Sequence, residues 1–212
     1  HALKNRPDPV KILSASNVGR IEHLVPIRFG RMAQSPFAFY RGAAAIMASD
    51  LAQTPASGLY VQACGDAHLM NFGGFATPER NIIFDINDLD ETLPAPFEWD
   101  IKRLAASVVI AAKHIELTTS EAAGLVIDLV REYREKMSGY AQMRALDVWY
   151  DKIDLQRYTD RSTDPEVLRR AHKRLAQRIE IERRKSHPDI MYPKLVVHEG
   201  GTPKIKDEPP LI

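Results

Sequence analysis

The chain has 212 residues, of which 44% are hydrophobic and 27% charged, with a formal net charge of +1. This length and composition predict one globular domain, or one domain with an appendage. The near-neutral charge gives no global electrostatic reason to expect nucleic acid or an anionic membrane as partner. A single cysteine, Cys64, excludes an intrachain disulfide and a cysteine metal cluster. No apolar run approaches the ~18 residues of a membrane span and no signal peptide is visible, so we expect a cytoplasmic protein.

The N-terminal part predicts one clear helix. Residues 1–34 show no hydrophobic period and are expected to wrap over the rest of the chain. A helix is predicted to begin after Ser35 as N-cap, with Pro36 in its first position, and to run to about Gln53.

Strands are predicted before further helices. Short apolar runs over 58–64 and 81–86 predict two buried strands. Helical periodicity and cap signals then predict helices over 97–115, 119–143 and 164–186. The expected fold class is therefore α+β and mostly helical.

The chain is predicted to consist of three parts. Residues 1–34 form the wrapping segment, 35–186 the main domain, and 187–212 an extended tail with a small hairpin around Gly200 and Gly201.

The cysteine and several aromatic residues are expected in the core. Cys64 lies on a predicted strand with no base partner nearby, which favours a structural role over a nucleophilic one. Trp99, Trp149 and the tyrosines stand at positions typical of buried aromatic residues.

The stretch "CGDAHLMNFG" (64–73) crowds polar residues between glycines after an apolar run. Four residues separate Asp66 from Asn71, and Asp85 follows Asn71 by fourteen positions, within the second predicted strand. A carboxylate for a hydroxyl acceptor, with an amide and a second carboxylate for a hard cation, suits Mg²⁺-assisted phosphoryl transfer. The alternative is that Asp66 and Asn71 are ordinary turn residues after a strand.

An acidic run follows the second strand. Asp88 lies three residues after Asp85, so both carboxylates can face one cation, and Asp88 is a possible second metal ligand. Asp90 and Glu91 adjoin Thr92 and are expected to form a solvated turn.

Three arginines flank an apolar, aromatic segment upstream. Arg28, Arg31 and Arg41 could hold a phosphate or another anionic group through bidentate contacts, and Arg41 is the best candidate for such a cofactor contact. Alternatively, these arginines pair with the acidic run over 85–91.

The loop resembles the catalytic loop of the protein-kinase-like superfamily, especially the Gly-Asp-x-His-x-x-Asn loop of aminoglycoside and choline phosphotransferases. The resemblance implies that Asp66 is the catalytic aspartate, that His68 shapes the catalytic loop, and that Asn71 and Asp85 hold Mg²⁺. It further implies that Asp100, in "PFEWDIKRLA", caps a helix and braces the loop. The fold it implies is that of a kinase-like C-terminal lobe, with Mg²⁺ and ATP as cofactors and a small molecule or protein as substrate.

Over roughly residues 28–150, the chain also resembles a bacterial family known as domain of unknown function 2252. Residues 1–65 contain no glycine-rich phosphate loop and no strand lysine of the kinase type. The resemblance implies that such a segment lies downstream, as in a circularly permuted kinase. We therefore expect a catalytic lobe whose nucleotide lid lies beyond this chain.

Two other functions stay open. The first is a non-catalytic kinase-like scaffold or binding module. The second is a metal-dependent phosphoesterase, because "GDAH" resembles the opening motif of binuclear phosphatases, although Leu69 replaces the usual glycine and the later histidines lack ligand spacing. A basic helix over 164–186 is interrupted by glutamates, so a solvated face is expected there and nucleic-acid binding is not.

Overall fold

The computed structural model describes the chain in two compact units, and its fold is α+β with more helix than sheet. The first unit comprises His1–Gly73 and Ile86–Asp151, and the second comprises Gly74–Asp85 and Lys152–Ile212. The described residues are 6–78, 81–154, 173, 177, 196–199 and 202–206.

The N-terminal segment is helical where it is described, although no period was visible in its sequence. Helix α1 begins after Asp8, whose carboxylate accepts a hydrogen bond from the Val10 amide at 2.9 Å. Leu13 and Met32 from this segment pack in a buried cluster that also contains residues of the following helices. The segment therefore contributes to the core. The elements are α1 (Pro9–Ala15), a 3-10 turn (Glu22–Leu24) and α2 (Val25–Met32).

The predicted helix after Ser35 is two helices, so its expected extent was wrong. Ser35 caps α3 (Pro36–Gly42) as predicted, accepting a hydrogen bond from Ala38 at 3.0 Å. The chain leaves helical geometry at Ala43 before α4 (Ala44–Leu51) begins. A Cβ on Gly42 would lie 2.5 Å from the Met32 side chain, so a close approach to α2 accompanies the break.

Both predicted strands are present, and further strands pair with them. The expected burial of the first strand was wrong, because three of its four residues are exposed on an edge strand. Strand β1 pairs antiparallel with β4, which was not predicted because its sequence, "LPAP", contains two prolines that cannot donate to a ladder. A two-stranded sheet tolerates them because each strand is an edge. The second sheet has the order β2-β3-β5 and the third is the predicted C-terminal hairpin of β6 and β7. The strands are β1 (Tyr60–Ala63), β2 (Phe72–Ala76), β3 (Ile82–Ile86), β4 (Leu93–Pro96), β5 (Ile153–Asp154), β6 (Val196–Glu199) and β7 (Thr202–Ile205).

Two long helices follow β4, as predicted. Helix α5 (Glu98–His114) packs against α6 (Thr119–Tyr140), which begins with a capping box formed by Thr118 and Glu121. A short helix, α7 (Ala145–Tyr150), ends this part of the chain. The predicted helix over 164–186 lies outside the described residues, apart from two single residues that are helical.

Burial confirms Cys64 as a core residue but contradicts part of the aromatic prediction. Trp99 is only half-buried, and Trp149, on the short helix α7, is 83% exposed. Among the described tyrosines, Tyr60 and Tyr150 are 69% and 71% exposed. Among the described residues, no helix has the length and apolar character needed to cross a bilayer.

Candidate functional site

The loop between β1 and β2 begins with a turn that requires glycine. Gly65 has φ +81°, a conformation that residues with a side chain rarely adopt. A Cβ at this position would lie 2.1 Å from the carbonyl oxygen of Glu91. The loop therefore packs directly against the main chain that precedes β4.

Asp100 braces this loop, as the kinase resemblance implied. From the first turn of α5, its carboxylate accepts hydrogen bonds from the amides of Cys64 at 2.7 Å and Gly65 at 3.0 Å. Bonds from amides to a charged acceptor are stronger than neutral ones, so Asp100 fixes the start of the loop. The implied helix-capping role is not seen, because α5 already begins at Glu98 and Asp100 lies within it.

The Asp66 carboxylate is held from two sides. Arg103, on α5, donates to Oδ1 from Nε at 2.8 Å and also from Nη2. His68 Nε2 lies 3.3 Å from Oδ2. Partial burial raises the pKa of Asp66, but the hydrogen bonds from His68 and Arg103, together with the arginine charge, lower the pKa below its usual value. Asp66 is therefore ionised at neutral pH, and its side chain is 24% exposed.

His68 is a buried part of the loop. Its Nδ1 accepts a hydrogen bond from the Met70 amide at 3.1 Å, which leaves Nε2 as the ring nitrogen that faces Asp66. The ring also makes an edge contact with Phe37. At 2% exposure, His68 is suited to shaping the loop and orienting Asp66 rather than to contacting a substrate directly.

Asn71, predicted to be a metal ligand, uses its amide inside the loop. Its Nδ2 donates to the carbonyl oxygens of Asp66 at 3.0 Å and Asp88 at 2.9 Å, and its Oδ1 accepts from the Asp88 amide at 3.0 Å. The side chain is 4% exposed. In this conformation Asn71 joins the loop to the segment after β3, and metal binding by its oxygen stays a prediction.

The two carboxylates predicted to bind metal are exposed. Asp88 lies in the first unit, where its Oδ1 accepts from the Asp90 amide at 3.1 Å and forms a local turn. Asp85 lies on β3 and is assigned to the second unit. Both offer the hard oxygen donors that suit Mg²⁺, whereas the Asn71 oxygen is already engaged, so the predicted ligand set fits the ion in part. Among the described residues, no group of three or more His, Cys, Asp or Glu side chains is placed to hold a metal.

Two of the three candidate arginines lie at the same cavity as Asp66. This cavity, of about 530 Å³, is lined by Arg31 from α2, Arg41 from α3 and Asp66. Arg28 is elsewhere, donating to Asn17 Oδ1 at 3.0 Å and to the Gly42 carbonyl at 2.6 Å. In the part of the chain that the structure describes, none of the three arginines forms a direct ion pair with the acidic run, although the charge of Glu91 acts on Arg28.

The sequence analysis missed two residues of α5 that complete the loop. Arg103 binds Asp66, and the Ser107 hydroxyl accepts a hydrogen bond from the Leu69 amide at 3.1 Å. Both are almost fully buried. The available signal was their spacing, because positions 100, 103 and 107 share one face of a helix.

The chain belongs to the bacterial family described as "Uncharacterized protein conserved in bacteria (DUF2252)", whose match spans residues 20–212. The family resemblance predicted from the sequence is thereby confirmed. No curated protein and no solved structure matched the chain. The family description names no reaction, so function must be argued from the site.

Proposed function

We propose that this chain provides the acceptor-orienting lobe of a kinase-like phosphotransferase that transfers a phosphoryl group from Mg-ATP to a hydroxyl of a small molecule or protein. One observation carries the proposal: an ionised Asp66, held on a braced loop, lines the same cavity as Arg31 and Arg41. A carboxylate beside two cations is suited to align a hydroxyl next to a phosphate group.

Asp66 would orient the acceptor. Arg103 and His68 fix its carboxylate plane, while the exposed part of the side chain can still accept a hydrogen bond from a hydroxyl. As the acceptor oxygen bonds to phosphorus and the bond from phosphorus to the leaving oxygen breaks, the hydroxyl proton passes to Asp66. The lowered pKa makes Asp66 a weak base, so alignment is the larger part of its contribution.

Arg41 and Arg31 would hold the phosphoryl group. Their guanidinium groups offer several donors in a fixed planar geometry that matches phosphate oxygens. Both are exposed and form no ion pair within the described residues, so no protein carboxylate has to be displaced. Asp88 would help to hold Mg²⁺, an ion that neutralises charge on phosphate oxygens.

A non-catalytic binding module is the second candidate, and a specific observation favours it. Both Asp66 oxygens already accept bonds from protein groups, and the Asn71 amide is fully engaged with the main chain. A loop satisfied in this way is stable without substrate. Such a module would bind an anion through Arg31 and Arg41 without transferring a group.

Two measurements distinguish these functions. The first is calorimetric titration of ATP into the protein, with and without MgCl₂. The second is ADP formation in the presence of hydroxyl-bearing acceptors, including sugars, amino alcohols and serine or threonine peptides. The test variants are Asp66→Asn and Arg41→Gln. The matched control is Arg144→Gln, which alters an exposed arginine whose ion pair with Asp147 lies on α7.

If the protein is a phosphotransferase, Asp66→Asn should lower the acceptor-dependent turnover rate about 10²-fold or more, while the variant still binds ATP. Arg41→Gln should weaken ATP binding by about tenfold or more, and Arg144→Gln should leave both quantities unchanged. Magnesium-linked ATP binding without turnover on any acceptor would support the binding module. Both measurements use the longest version of the protein that contains this chain, and absence of both binding and turnover in that folded protein would contradict the phosphotransferase proposal.

A further inference from the structure

A second cavity, of about 240 Å³, lies within the first unit, between its helices and the β1–β4 sheet. Asp66, Arg31 and Arg41 do not line it, so it is separate from the proposed acceptor cavity. Part of its wall is apolar, with contributions from Met47, Leu51 and Trp99. An apolar cavity of about 150 Å³ can hold benzene, so this one has room for a small molecule with an apolar body.

Three arginines reach this cavity, and two of them, Arg20 and Arg28, form no ion pair among the described residues, whereas Arg103 is paired with Asp66. Arg20 donates only from Nε, to the Ser16 carbonyl at 3.1 Å, and its terminal nitrogens are unused among the described residues. Arg28 also lines the cavity and forms no ion pair there. Arg103 is 2% exposed, and its Nη1 is buried with no hydrogen-bond partner. A buried donor without an acceptor is costly.

An exposed carboxylate that forms no direct ion pair with the nearby arginines lines the same cavity. Asp100 is occupied by the amides of the loop, but Glu91 forms no hydrogen bond through its carboxylate and no ion pair among the described residues. Partial burial raises the pKa of Glu91, the Asp66 charge adds to this, and the charges of Arg103 and Arg20 only oppose it. A cationic group on a ligand would supply the missing partner.

We propose that this cavity binds an α-amino acid with an apolar side chain. Its carboxylate would be held by Arg20 and Arg28, its ammonium group by Glu91, and its side chain by the apolar wall. A simple anion would leave Glu91 without a partner, and a simple amine would face unpaired guanidinium groups. Only a ligand with both charges and an apolar body complements the three parts of the wall. This inference does not depend on the proposed phosphotransferase activity.

The test is calorimetric titration of the protein with three matched probes: L-leucine, 4-methylpentanoate, which lacks the ammonium group, and 3-methylbutylamine, which lacks the carboxylate. We expect saturable binding of leucine and binding at least about tenfold weaker for each of the other two, because each loses one charged contact. Glu91→Gln should weaken leucine binding about tenfold or more and leave 4-methylpentanoate unchanged. Arg20→Gln should weaken the binding of both leucine and 4-methylpentanoate.

Glu132→Gln, which changes an exposed carboxylate of α6, is the control and should bind leucine like the wild type. Circular dichroism checks that each variant is folded, and Arg20→Lys replaces Arg20→Gln if the latter unfolds. Absence of saturable leucine binding in the folded protein would overturn the proposal. So would equal binding of leucine and 4-methylpentanoate, or leucine binding that is insensitive to both Glu91→Gln and the Arg20 variant.

Discussion

Replacing Gly65 by alanine should destabilise the protein more than the same change at another glycine with positive φ. Gly65 and Gly58 have nearly the same backbone conformation, with φ +81° and +85°. A Cβ on Gly58 meets nothing within 4 Å, whereas a Cβ on Gly65 would lie 2.1 Å from the Glu91 carbonyl oxygen and 2.8 Å from its carbon. The pair therefore separates the backbone penalty from the steric one.

The magnitude follows from these two terms. A left-handed conformation costs an alanine about 1–2 kcal/mol, and the lower entropy of the unfolded chain offsets about 0.4–1 kcal/mol of it. We therefore expect Gly58→Ala to lower the free energy of unfolding by about 1 kcal/mol. In Gly65→Ala the Glu91 main chain must also move by more than 1 Å to reach ordinary contact at 3.4 Å. Overpacking of this kind costs about 1–3 kcal/mol more, so the expected total is about 2–4 kcal/mol.

The assay is urea unfolding of both variants, followed by circular dichroism at several wavelengths. The free energy of unfolding and the dependence on urea are compared with those of the wild type. If the two variants differ by less than about 0.5 kcal/mol, the close contact between Gly65 and the Glu91 carbonyl does not exist in solution. The reasoning about how this loop is held would then be refuted.

Three further predictions concern the surroundings of the loop and the helix caps. Asp100→Asn should lower the free energy of unfolding by about 1.5–3 kcal/mol, because the amides of the loop lose a charged acceptor. The control Asp128→Asn, which alters an exposed ion pair on α6, should lower it by less than about 0.5 kcal/mol in the same urea assay. Thr118→Ala should lower the free energy of unfolding by about 1 kcal/mol through loss of the α6 N-cap, and an unchanged urea midpoint would contradict the cap. Burial, with the Asp66 charge, raises the pKa of Tyr40 to about 12 against the opposing charge of Arg103, so phenolate absorbance should show a step near this pH that Tyr40→Phe abolishes. The pKa of Tyr40 is higher in the folded state than in the unfolded state. Its contribution to the free energy of unfolding is therefore complete below about pH 10 and is lost as the pH rises through about 12. An absorbance step for Tyr40 near pH 10 would contradict its burial.

The sequence was sufficient for features that depend on neighbouring residues. Ser35 caps a helix as predicted, and Thr118 caps another at one of the expected cap signals, because a cap needs only a hydroxyl and the amides two or three residues later. The predicted strands lie at the apolar runs of the sequence, and the hairpin of β6 and β7 lies on either side of the paired glycines. The grouping of Asp66, His68 and Asn71 on one loop was likewise visible as a motif.

Features that depend on contacts between distant segments were decided by the tertiary structure. The helix after Ser35 breaks at Ala43 where α2 packs closely, and β4 forms despite its prolines because β1 pairs with it. Trp149 is exposed although its residue type favours burial.

For Asp66, too, the sequence determined one part and the tertiary structure the other. The sequence by itself determined that a carboxylate would lie on a glycine-flanked loop after a strand. That its partner is Arg103, 37 positions away, and that Arg31 and Arg41 share its cavity, was decided only by the packing of α2, α3 and α5. The reason is physical: caps and turns are satisfied within a few residues, whereas a buried charge requires a counter-charge, which any part of the folded chain can supply.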